Sequence, residues 1–276
     1  MNFKDKKLCF VQKHFNQSGF SQQMTRVANL FGRAYYLYWV EKKEGDHNPL
    51  QLGTNITPVS FKHLRNAVSA LIQSEFLIVF NINSLIRVLP FALLFPRKVL
   101  IYRFMGADIQ VVKELSYGFR RTFIRNIVFK MITWRVNSFS CLCEQIRTIA
   151  HIEAGISKKK LFVIPNGFDM YGQFGVPSYA EMEDTIRKYN LKTGIPTLIV
   201  VAKVNRPVKN VEFILRSLRK ITTPEFQVWF IGAELDDLKN LVEQLPGNIS
   251  CRFFGRILRH DLKSFFALAD VLAHTA

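Results

Sequence analysis

Lys203, Arg206 and Lys209 fall within eleven residues, Val200-Val-Ala-Lys-Val-Asn-Arg-Pro-Val-Lys-Asn210, at the end of an apolar run and the first turn of a helical pattern. Three like charges so placed repel one another. A diphosphate among them removes that cost and adds charge-assisted hydrogen bonds, which gives a physical reason for the clustering. Spacing alone leaves a second reading open, in which the three are solvated side chains on a loop. A second, weaker candidate is Ser18-Gly19-Phe20-Ser21. Gly19 would let the backbone approach a phosphate or sugar closely, and Ser21 can cap the helix that follows. A plain strand-to-helix turn accounts for the same residues. His14, nearby, is a proton donor on one reading and a structural histidine on the other.

These groups need a scaffold, and the chain supplies short apolar runs alternating with helical periodicity. Strands are expected at Leu8–Val11, Ala34–Val40, Phe76–Phe80, Val99–Phe104, Ser138–Cys143, Leu161–Ile164, Thr197–Ala202, Phe226–Ile231 and Cys251–Phe254. Near-continuous apolar character is what strands buried on both faces require. Helices are expected at 21–31, 61–72 and 85–95, the second burying Phe61, Leu64, Val68, Leu71 and Ile72. Two later helices carry Val211, Ile214, Leu215 and Leu218, and Leu262, Phe265, Phe266 and Ala269, each set on one face. The fold class is therefore α/β with parallel sheets. Turn-forming residues from Pro165 to Pro177 interrupt the alternation, dividing the chain into two Rossmann-like domains at 1–172 and 178–276. The second has three strands and the start of a fourth, Val271-Leu-Ala273, and is expected to be incomplete.

Lys and Arg number 38 against 21 Asp and Glu, a net charge of +17. Residues 1–170 hold 24 basic and 10 acidic side chains, so the anion-attracting surface belongs mainly to the first domain. The longest apolar run, Val88 to Pro96, has nine residues, against about twenty for a spanning helix. Leu8–Val11 is too short for a secretory signal, and a cytoplasmic location is expected. Cys9, Cys141, Cys143 and Cys251 lack metal or disulfide spacing and are expected to be reduced core thiols.

The pattern strand-K-x5-K-N-helix at 199–218 is preceded by Ile164-Pro-Asn-Gly-Phe-Asp169. It is followed by Phe230-Ile-Gly232, Phe253-Phe-Gly255 and Leu268-Ala-Asp-Val271. As an ordered set this resembles the retaining glycosyltransferases of the GT-B fold, family-4 type, from about residue 99 to 276. The resemblance implies transfer of a sugar from a nucleotide diphosphate sugar, held by the second domain, to an acceptor presented by the first. It implies that Lys209, with Lys203 or Arg206, stabilises the departing diphosphate by fixed charge, with no metal or other cofactor needed. The absence of a D-x-D triplet agrees with that. The family pair is usually five apart, and Lys203 and Lys209 are six apart, so the choice between Lys203 and Arg206 stays open. Gly19, Gly232 and Gly255 match nucleotide-sugar loops, and Asn166, Gly167 and Asp169 an interdomain motif. Arg103-Phe-Met-Gly-Ala-Asp108 matches a segment that often reads His-Gly-x-Asp. Met105 replaces the histidine, which leaves Asp108 as the polar catalytic candidate or a structural cap.

Family members continue into a helix bearing two glutamates eight apart, and this chain stops at His274-Thr-Ala276. A truncated chain, as a fragment or an interrupted gene, with no transfer activity of its own is the expectation. The expected function is a glycosyltransferase of polysaccharide or lipopolysaccharide assembly; the alternative is a non-catalytic remnant or binding module retaining the acceptor domain. Along 117–135, Phe119, Phe123, Ile127, Met131 and Trp134 form a stripe beside Arg120, Arg121, Arg125 and Arg135. A partly buried domain helix describes it better than an interfacial one, because Ile124, Val128 and Ile132 blur the polar face. The charge favours an anionic membrane at the inner face of the plasma membrane as partner, with a glycan or lipid-linked acceptor. Nucleic acid is not expected, since no reader motif accompanies the charge.

Overall fold

Apolar runs of about five residues separated by amphipathic segments build parallel strands joined by crossover helices, because only a crossover returns the chain to the same end of a sheet. The computed structural model describes residues 3–12, 26–39, 55–104, 122–167, 175–202, 209–232 and 238–275. They form two units that divide between Phe168 and Asp169.

In the first unit the described strands are β1 (Lys7–Val11), β2 (Arg33–Tyr38), β3 (Ile56–Ser60), β4 (Phe76–Phe80), β5 (Val99–Arg103), β6 (Ser138–Cys141) and β7 (Leu161–Val163). They pair in parallel in the order β3-β2-β1-β4-β5-β6-β7. Helices α1 (Leu64–Gln73), α2 (Ile82–Leu94), α3 (Thr122–Arg135) and α4 (Glu144–Ile152) connect the later strands. Each sends residues into one core, Ala67, Leu85, Ile132 and Ile146 among them, so all four cover the same face of the sheet. The opposite face gathers Leu8, Phe10, Ala28, Tyr36 and Phe80.

The second unit holds β8 (Thr197–Val201), β9 (Phe226–Ile231), β10 (Ile249–Phe253) and β11 (Val271–Leu272), paired in parallel in the order β10-β9-β8-β11. Its helices are α5 (Tyr179–Tyr189), α6 (Val211–Leu218), α7 (Lys239–Val242) and α8 (Arg259–Leu268). Val211, Ile214, Leu215 and Leu218 are all buried, as their spacing predicts. On the other face, Phe265 is buried and Leu262 and Phe266 pack around it with Trp229.

Four expectations are corrected. Strand β3 and helices α4, α5 and α7 are additional to those read from the pattern. Helix α1 begins at Leu64 and buries Ala67, Ala70 and Leu71, leaving Leu64 65%, Val68 38% and Ile72 50% exposed. On that helix small side chains, which allow close approach to the sheet, decide the inward face over the bulkier ones. In α3 the stripe is not the buried face, because Ile127 and Trp134 are exposed while Ile132 is buried and Met131 packs partly against the core. Cys143 is exposed at the start of α4, and Cys251 is half-buried. Burial pushes the thiol pKa of Cys9 up to about 12 and of Cys141 and Cys251 to about 11, so these three stay protonated and inert.

Much of the basic excess is spent inside the first unit. Helix carboxyl ends leave carbonyls without intrahelical partners and carry negative partial charge. Lys98 Nζ donates to the carbonyls of Ile72 and Ser74 at the end of α1, each at 2.5 Å. Arg135 Nε reaches Ala92 O at 2.6 Å, and its Nη2 reaches Phe95 O at 3.1 Å and Lys98 O at 2.9 Å, at the end of α2. Lys160 Nζ gathers Thr133 O, Trp134 O and Val136 O at 2.8, 3.0 and 2.8 Å at the end of α3. Three successive helices thus end on a cation supplied by a later segment. Arg135, grouped in the sequence with Arg120, Arg121 and Arg125 beside the α3 stripe, is 5% exposed.

Candidate functional site

In an open parallel sheet, side chains converge beyond the carboxyl ends of the strands. In the second unit that end carries three of the expected residues. Lys209 is half-buried immediately before α6, and Asn210 adopts a left-handed conformation at φ 42° as that helix begins. The Asn210 side chain makes no capping hydrogen bond, so the first amide groups of an eight-residue helix are not closed by it. Beyond β11, Thr275 Oγ1 donates to Lys209 O at 2.7 Å, with Asn210 O at 3.2 Å. That hydroxyl ties the segment after β11 to the start of α6.

Gly232 follows β9 and Gly255 follows β10, and because those strands are neighbours their ends meet. The Gly232 amide donates to Gly255 O at 2.5 Å. Both glycines lie at positive φ, 82° and 54°, where a Cβ would be strained. Neither position carries a side chain, so the two strand ends meet through backbone alone. Lys203 and Arg206, which share the spacing with Lys209, lie outside the described residues.

In the first unit the carboxyl ends of β5, β6 and β7 are joined by one side chain. Arg103, 9% exposed at the end of β5, donates through Nη1 to Ser140 Oγ at 2.7 Å. Its Nη2 reaches Ile164 O at 3.1 Å and Asn166 Oδ1 at 2.7 Å. Burial lowers the guanidinium pKa from its ordinary value, and the partners named are all neutral. In the sequence Arg103 stands out only as the start of the segment 103–108. Its signal was a charged residue closing an otherwise apolar strand, Val99-Leu-Ile-Tyr-Arg103. Asn166 and Gly167 are exposed beyond β7. Gly19, Asp108 and Asp169 lie outside the described residues, as does His14.

Among the described residues no group of His, Cys, Asp and Glu side chains could hold a metal ion, and no helix is long and apolar enough to cross a membrane.

Two parallel-sheet units with glycines and a cation at the carboxyl ends of the second define the GT-B class of fold. Solved structures agree. The chain is similar to HepE (Alr3699) of Anabaena in complex with UDP and glucose, with a TM-score of 0.68 at 15% identity over 98% of this chain and 74% of that one. It is similar to a glycosyltransferase of Rickettsia africae at TM-score 0.67 and 13% identity, over 98% of this chain and 73% of that one. A third is WaaG, a glycosyltransferase involved in lipopolysaccharide biosynthesis, at TM-score 0.62 and 14% identity over 97% and 74%. Residues 181–276 match the family described as Glycosyl transferases group 1, and the likeness to the solved structures bears out the GT-B fold expected from the sequence. No curated protein sequence matches.

Proposed function

We propose that this chain is a glycosyltransferase that moves a sugar, with retention at the anomeric carbon, from a nucleotide diphosphate sugar to a glycan or lipid-linked acceptor. The observation that carries the reading is the Gly232 to Gly255 hydrogen bond at the carboxyl ends of β9 and β10, beside a sheet end where Lys209 opens α6. Bare backbone suits the base and ribose, and the cation with the uncapped helix start suits the diphosphate. Lys209, together with Lys203 or Arg206, would carry the charge that develops on the leaving diphosphate, so no metal is required. Asp108 is the polar group proposed to face the transferred sugar. The acceptor falls to the first unit, and polysaccharide or lipopolysaccharide assembly on the cytoplasmic side of an anionic membrane is the proposed setting. The similarity to a protein solved with UDP and glucose supports a donor of this class.

The test is titration calorimetry with UDP-glucose and other nucleotide sugars, followed by transfer assays on Lys209→Ala, both in a chain completed with the glutamate-bearing segment that family members carry. Removing one preorganised charge-stabilising group lowers transfer by about two to three orders of magnitude. Transfer within twofold of the parent, or no binding of any nucleotide sugar by the parent, would sink the reading.

A further inference from the structure

The ends of α1, α2 and α3 and the turn before β7 all precede strands, so they lie together at the amino edge of the first sheet, opposite the edge that holds Arg103 and Asn166. Large apolar side chains stand exposed on this amino edge. Leu94 is 76% exposed, Trp134 72% and Phe95 38%. Arg135, the neighbour of Trp134, is bonded to the carbonyls of Ala92, Phe95 and Lys98, and Lys160 to that of Trp134. The three apolar groups are therefore fixed in one neighbourhood. An open groove continues from Leu94 and Phe95 past Arg97.

Arg97, Lys158 and Lys159 are exposed around them and take part in no salt bridge among the described residues. The acid lining the groove, Glu75, is paired with Lys6 at 2.7 Å. Three helix carboxyl ends would ordinarily give this edge a negative field. Lys98, Arg135 and Lys160 cancel it, so the exposed cations act on solvent unopposed. An indole beside aliphatic side chains and a basic rim is the composition that settles at the headgroup level of a bilayer.

We propose that this amino edge, with Leu94, Phe95 and Trp134 inserted and Arg97, Lys158 and Lys159 on the headgroups, is the surface that seats the protein on an anionic bilayer. The inference rests on the membrane setting proposed above. The carboxyl edge, with its candidate acceptor groups, then stands off the lipid, which suits the glycan form of acceptor proposed above over one whose accepting group lies at the bilayer surface.

The chain has three tryptophans, of which Trp229 is 1% exposed and Trp39 lies half-buried under the Arg87 guanidinium at 4.6 Å. Trp134 is therefore the reporter. Vesicles of phosphatidylglycerol and phosphatidylcholine, brominated in the acyl chains, should quench the emission of the full chain, and Trp134→Phe should abolish the quenching. Lys158→Gln with Lys159→Gln should weaken vesicle partition about thirtyfold, the effect of two basic residues near a charged surface. Leu94→Ser should weaken it about tenfold with an unchanged urea midpoint, since it replaces an exposed side chain. Binding that leaves Trp134 unquenched overturns this surface while sparing the membrane setting. No binding to anionic vesicles overturns both. A dimer in vesicle-free buffer that Leu94→Ser dissolves assigns the face to a second copy and overturns the proposal.

Discussion

Arg103 and Asn166, 63 residues apart in sequence, meet at 2.7 Å where β5 and β7 end. An arginine only donates, so the amide of Asn166 must turn its oxygen to the guanidinium and its NH2 away. The pair fixes which face of Asn166 is offered to its surroundings.

Asn166→Asp keeps the acceptor and gives Arg103 an anionic partner, so the unfolding midpoint in urea should hold or rise. Asn166→Leu loses a hydrogen bond to a charged group and should cost about 1.5–3 kcal/mol. If the outward NH2 contacts substrate, Asn166→Asp should lose transfer despite its intact stability. Equal stability of the two variants would mean the contact carries no weight.

Arg135→Met should be the most damaging change among the three cations that close helix ends. It strands the Ala92, Phe95 and Lys98 carbonyls at a position 5% exposed, at a cost of about 1–3 kcal/mol for each that water does not reach. Lys98→Met and Lys160→Met, at less buried positions, should each cost about 1–2 kcal/mol. Arg135→Lys should not rescue, because a single ammonium cannot span the same carbonyls. Chemical denaturation of the four variants ranks them.

Acid should loosen the second unit. The Lys263 ammonium, bonded to Glu181 Oε1 at 2.5 Å, and then the Ser178 amide and hydroxyl hold the Glu181 pKa down to about 2 from 4.5. Burial pushes Asp261 up, but hydrogen bonds from Lys188 and Tyr189 at 2.8 and 2.7 Å outweigh it and leave the carboxyl below its ordinary value. Both pKa values are lower folded than unfolded. Their contribution is complete above the unfolded value and drains as pH falls from 4.5 toward about 2. Trp229 emission, followed through urea unfolding at stepped pH, should show that decline, and Glu181→Gln should flatten it.

Gly232→Ala and Gly255→Ala each force a Cβ into positive φ and should cost about 1–2 kcal/mol. Under the proposed reading they also weaken nucleotide-sugar binding by crowding the bare backbone. Calorimetry on folded variants separates the two effects.

The apolar strands and the glycines after β9 and β10 were legible because burial on both faces keeps most strand residues apolar, with few exceptions such as Gln227 in β9 and Ser140 in β6. Strand β3 was not, since Thr57 and Pro58 interrupt it; proline is accepted there because β3 is the sheet edge. Helix α5 had a readable start in the box of Ser178 and Glu181, whose side chains satisfy each other's backbone. Charge was the least legible property. Nothing in the sequence marks Arg103, Lys98, Arg135 or Lys160 as a partner of carbonyls, because only the fold brings those distant carbonyls to them.

The strand order of the first sheet bears on how the unit is made. β1, the first of the described strands in chain order, is interior, with β2 and then β3 added outward on one side. The chain then returns past both, through α1, to lay β4 along the other flank of β1, and β5, β6 and β7 follow at a single advancing margin. After that one return every incoming segment finds a finished neighbour waiting, so the sheet can accrete in the order of translation. In the second unit β8 has β9 on one flank but keeps the other unpaired until Val271 and Leu272 are synthesised. Stalling translation before those codons should leave a nascent chain whose first unit resists protease and whose second remains open to it.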